Sequence, residues 1–172
     1  MANRVTVDIK VGSFIRQWVV ESEGTDIISL EKRTNLWAIV KQNLELLPND
    51  YETIQDRSEY ISIELLETHA RQYWNVTDDC MVKMNELYRC HISEAGQAAI
   101  TRYLENQFRA HFHVYMTARF SDGKKEPIRH AIASFLQDYL LPINDTIMAR
   151  MSKDWYRFRQ KNKEKYPIPI FF

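Results

Sequence analysis

Residues 93–120, SEAGQAAITRYLENQFRAHFHVYMTARF, decide the class of this fold, because their second half can be read in two ways. Ala110, Phe112, Val114, Met116, Ala118 and Phe120 alternate with His111, His113, Tyr115, Thr117 and Arg119, which is the period of two of a half-buried strand. Leu104, Phe108, His111 and Tyr115 fall instead at the three- and four-residue intervals of a helix. Ser93 followed by Glu94 makes a good helix start, and Ala98, Ile100, Leu104 and Phe108 carry the pattern forward. The helical context favours helix for the whole run.

Upstream the pattern is different. Val5, Val7, Ile9 and Val11 alternate with Thr6, Asp8 and Lys10, as in a strand with one buried face. After Gly12, Ser13 is placed to cap a short helix that carries Phe14, Ile15, Trp18 and Val19 and stops at Gly24. A second strand is expected over Ile27–Leu30, and a helix from about Thr34 to Leu47 with Pro48 as its stop. Ile61, Ile63 and Leu65 then alternate within a third strand, Tyr60–Leu66. These readings predict an α+β fold, with a small N-terminal mixed α/β layer over residues 1–76 and a mainly helical part over 77–172.

Downstream of residue 120, Asp78 or Asp79 having already offered a start for a helix through Met81, Met84 and Tyr88, two more helices are expected. Ser121–Lys124 reads as a turn. Glu126 and Pro127 suit the first turn of a helix reaching about Leu140, with Pro142 beyond it. Asn144 or Asp145 caps the last helix, which is expected to run to about Lys165. On that helix Ile147, Met148, Met151, Trp155 and Phe158 share a stripe about 100° wide. Arg150, Lys153, Arg157 and Lys161 make a ridge on the far side, with Arg159 and Lys163 on its flank and Tyr156 between. Residues 147–166 hold seven cations and two anions.

Net charge over the 172 residues is zero, yet residues 1–79 carry −6 and residues 80–172 carry +6. Such an asymmetry points one half toward an anionic partner. Nucleic acid attracts a cationic ridge through release of condensed counterions, and arginine can bond guanine edges in the major groove. The helix from Glu126, the connection Leu141–Asn144 and the basic helix have the layout of a helix-turn-helix end. Arg150, Lys153, Arg157, Arg159, Lys161 and Lys163 are therefore the candidate DNA-binding residues. The competing reading is a solvated or protein-contacting amphipathic helix, since lysine-rich helix ends are favoured by the macrodipole alone. Trp155 and Tyr156 leave the choice between double- and single-stranded DNA open.

The run from Pro127 to Lys161, with IRHAIASFLQDYLLPI and MSKDWYRFRQK, resembles the C-terminal part of proteins carried by prophages and conjugative elements of Bacteroidales. That resemblance implies a DNA-binding or regulatory protein of a mobile element, with the basic, aromatic ending Tyr156, Arg157, Phe158, Arg159.

Composition excludes other classes. With 45% hydrophobic and 27% charged residues, four Gly and five Pro, the chain is neither low-complexity nor collagenous. No secretory leader or stretch of about 18 apolar residues is visible, so a cytoplasmic protein that makes no use of membranes is expected. The four glycines are scattered, and no phosphate loop, dinucleotide fingerprint, serine elbow or zinc-protease motif occurs. Catalytic residues, cofactors and metal are accordingly not expected. His111, His113, Cys80, Cys90 and His91 lack the spacing of a zinc site, and the two cysteines read as reduced core thiols. The ending Lys165–Phe172, KYPIPIFF, is an apolar tip that needs a surface, either the protein's own or that of a protein partner. A homodimer would double a single weak DNA-binding helix. The alternative to DNA binding is a non-enzymatic interaction or assembly protein using the basic face and this tail.

Overall fold

The computed structural model describes residues 5–30, 35–48, 54–66, 89–121 and 126–162, and its elements make an α+β fold. Two compact units are formed, Met1–Glu105 and Asn106–Phe172. The first contains β1 (Val5–Lys10), α1 (Ser13–Glu23), β2 (Ile27–Ser29), α2 (Asn35–Gln42), β3 (Leu44–Leu46), β4 (Tyr60–Leu66) and β5 (Cys90–Ile92). It also holds the start of α3 (Glu94–Ser121), whose remainder belongs to the second unit with α4 (Ile128–Asp138) and α5 (Asp145–Lys161).

β4 is the central strand of a three-stranded sheet, antiparallel to β1 and parallel to β2. Being central, it is buried on both faces from Ile61 to Leu65, whereas β1 buries only Val7 and Ile9. Its buried polar residues have partners. Ser62 donates to Asp8 at 2.8 Å and accepts from Arg57, and Ser29 donates to the Glu64 carboxylate at 2.8 Å. The turn into α1 uses glycine rather than the expected Ser13 cap. Val11 and Gly12 both donate to the Glu59 carbonyl, and this holds Gly12 at φ +79°. Gly24 ends α1 in the left-handed conformation, as its position predicts.

The helix expected over Thr34–Leu47 stops at Gln42. Asn43 donates from its side chain to the Ile39 carbonyl at 2.7 Å and from its backbone to Val40, which turns the chain out of the helix. Leu44 then enters β3 and is fully buried, paired with Ile92 of β5. Because β5 follows residue 77 and pairs with β3, the first compact unit reaches past the expected boundary at 76, and the units divide inside α3. The helix anticipated from Asp78 or Asp79 to Tyr88, Cys80 with it, lies outside the described residues, as does the turn after Ser121.

Residues 110–120 are helical throughout. Ile100, Leu104, Phe108, Phe112 and Met116 are buried at intervals of four, while Val114, which a strand would have buried beside Phe112, is 67% exposed. Ser93 caps α3 through a bond from the Gly96 N–H to its hydroxyl. Gly96 itself approaches Asn43 so closely that a Cβ would lie 2.4 Å from the Asn43 Cβ. In the second unit Phe135 of α4 is fully buried among Phe108, Phe112 and Tyr115, with ring centroids 5.0–5.8 Å away.

Pro127 is the N-cap of α4 with extended backbone, one residue outside the helix it was expected to enter. α4 closes at Asp138, earlier than the expected Leu140. Leu141 donates to the Leu136 carbonyl and Leu140 to that of Gln137, with Leu140 at φ +48°. This is the Schellman pattern, with Leu136 and Leu141 both buried. The connection to α5 is consequently residues 139–144 rather than 141–144.

Candidate nucleic-acid interface

α5 begins where a side chain can close its first turn. Asn144 is extended and accepts the Ile147 N–H at 2.9 Å, and Asp145 stands at the positive end of the helix dipole. Met148, Met151 and Trp155 form the buried stripe, flanked by half-buried Ile147 and Phe158. Trp155 stacks between Phe120 and Phe158, with centroids 6.2 and 5.6 Å away. This packing sets which way the other face looks.

Arg150, Lys153, Arg157 and Lys161 are all exposed on that other face, and Tyr156 beside them is 62% exposed. Thr146, Ala149 and Gln160 complete it. Arg159, expected on the flank of the ridge, is half-buried and lies about 180° around the helix from Arg150, next to the buried stripe, so it does not join the four ridge cations. Lys163 lies outside the described residues.

The described carboxylates of the second unit are already engaged. Glu126 receives a forked pair of bonds from Arg119 at 2.7 and 2.9 Å, which raises the pKa of that guanidinium further. Asp145 is held by Arg129 at 2.7 Å, and Asp138 accepts from the Tyr115 hydroxyl at 3.3 Å. Asp154 is held by His113 at 2.6 Å and Arg109 at 3.4 Å. Among the described residues, none of Arg150, Lys153, Arg157 and Lys161 pairs with a carboxylate. Counted by compact unit, residues 1–105 carry 17 acidic and 11 basic side chains, and residues 106–172 carry 6 and 12. The net charges are −6 and +6, so the charge separation coincides with the structural division.

The histidines considered as metal ligands have other roles. His111 meets the Tyr139 hydroxyl at 2.9 Å and the edge of Phe135. The ring of His113 lies on Phe158 with centroids 4.1 Å apart, and burial holds its pKa below the ordinary value against the pull of Asp154. Among the described residues no three His, Cys, Asp or Glu side chains are grouped to hold a metal ion. No described helix is long and apolar enough to cross a membrane.

Arg109 and Asp154 did not stand out in the sequence, and His113 did so only as a possible metal ligand. The one available signal was the four-residue spacing of Arg109 and His113, which puts both on one face of α3. Their convergence on Asp154 is a tertiary property. No protein-family model, curated protein or solved structure matches the chain.

Proposed function

We propose that the chain binds DNA through the outward face of α5, acting as a regulator or accessory factor of a mobile element. One observation carries the reading. Four exposed cations stand along one helix at intervals of three, four and four, and the described carboxylates of the unit are all held by other side chains. A polyanion is the partner that such a ridge is suited to, because each phosphate neutralised releases condensed counterions. The α4–α5 pair and its short connection fit a helix laid in the major groove, with Arg150, Arg157 and Lys161 at phosphates or base edges. The mobile-element setting comes from the resemblance over residues 127–161.

Fluorescence anisotropy of labelled duplex DNA across a salt series tests this. With four phosphate contacts, the slope of log affinity against log salt is expected to be about −3.6. Arg150→Ala, Arg157→Ala and Lys161→Ala combined are expected to cut it to about −0.9 while altering stability by no more than about 0.5 kcal/mol each, since all three side chains are exposed. No binding at low salt, or unchanged affinity in the folded triple variant, overturns the reading. A protein-interaction or assembly role is then next, and it is favoured by Leu140 and Ile143, which are 68% and 54% exposed in the connection between α4 and α5.

A further inference from the structure

Asp154 is the sole carboxylate between Thr146 and Asn162. It stands four residues after Arg150 and three before Arg157, the spacings at which helical side chains meet and pair. Left to its own helix, it would neutralise one of the two arginines. Its oxygens are taken elsewhere. Oδ2 lies 2.6 Å from Nε2 of His113 and Oδ1 lies 3.4 Å from Nε of Arg109, both on α3.

His113 is well fixed for this task. Its side chain is 14% exposed, its ring lies 24° from parallel to Phe158, and Trp155 flanks it at 6.4 Å. With the proton on Nε2 the neutral imidazole donates to the carboxylate. Packing therefore holds the donor in place, in contrast to an exposed ion pair, whose two flexible ends give little net stabilisation. Arg109, about half exposed, takes the second oxygen and balances the charge.

We propose that His113 and Arg109 clamp the Asp154 carboxylate away from Arg150 and Arg157, so that the ridge of α5 keeps its full positive charge for a polyanion. His113 and Arg109 are thus positioning residues. The inference rests on the ridge being the binding surface, and it predicts that freeing Asp154 costs the ridge one cation.

The test measures salt slopes with two probes, duplex DNA and heparin, for the full chain carrying His113→Phe, Asp154→Asn, or both. Phenylalanine keeps a ring against Phe158 and removes the donor. His113→Phe is expected to flatten the slope by about 0.9, one phosphate equivalent. Adding Asp154→Asn should restore the wild-type slope, whereas Asp154→Asn alone should shift affinity by less than about twofold. A wild-type slope in folded His113→Phe, or an equal gain from Asp154→Asn in both backgrounds, overturns the clamp. Should thermal melting show that His113→Phe does not fold, Arg109→Gln at the half-exposed position carries the same comparison: a larger gain from Asp154→Asn there than in wild type supports the clamp, and an equal gain overturns it. Heparin slopes that follow the cycle without any duplex binding would retain the clamp and remove DNA as the ligand. Duplex binding with one slope for all variants would do the reverse.

Discussion

Leu140 occupies a backbone conformation that glycine usually takes, and its side chain gains nothing from burial there. It stands at φ +48° and is 68% exposed, in the position of the Schellman turn where the chain must become left-handed. No glycine stands in the α4–α5 connection, and the hydrogen bonds from Leu140 and Leu141 over-determine the turn without one. Leu140→Gly relieves the strain at the cost of a more flexible unfolded chain. The net expectation is a gain of about 0.5–1 kcal/mol, read from the midpoint of denaturant unfolding. A destabilised variant would mean that the exposed leucine makes an unrecognised contribution. Gly96 is the opposite case, because a side chain there would strike Asn43 rather than strain the backbone.

At the scale of elements, α5 has two faces with separate tasks, and His113 links its inner face to α3. Burial lowers the His113 pKa more than hydrogen bonding and charge attraction from Asp154 raise it, and Arg109 adds to the lowering. The unfolded chain, with an ordinary histidine near 6.5, takes up the proton first as pH falls. The contribution of neutral His113 to stability is therefore complete above about pH 6.5 and is lost progressively as pH falls through the depressed folded value. Thermal melts of wild type and His113→Phe between pH 8 and 5 should diverge in slope, with wild type losing more stability on acidification. Parallel curves would show that this ring does not govern the acid limb.

For the whole molecule, the zero net charge conceals two oppositely charged compact units, −6 over residues 1–105 and +6 over residues 106–172. Long-range attraction responds to the local field rather than to the total. At pH 7 and low salt, the protein is expected to be retained by both anion- and cation-exchange resins. The Arg150, Arg157 and Lys161 triple alanine variant should elute earlier from the cation exchanger. If neither resin retains the wild type, the charges are too dispersed to act as patches, and the electrostatic basis of the proposed function fails.

Local pattern was enough for much of this. The alternation at Val5–Lys10 and Tyr60–Leu66, the glycine stop at Gly24, the Asn144 cap and the two faces of α5 are all legible, because each depends on residues within a few positions of one another. Arg150, Lys153, Arg157 and Lys161 could be placed on one ridge for the same reason. Where local signals tied, distant partners decided. Pairing with Cys90–Ile92 drew Leu44–Leu46 into a strand, and the packing of Phe112 and Met116 made residues 110–120 helical despite perfect alternation. Asp154 is the clearest instance. Its sequence neighbours are arginines it could neutralise, and only the packing of α5 against α3 hands its carboxylate to His113 and Arg109, since periodicity defines the face of a helix but not what that face will meet.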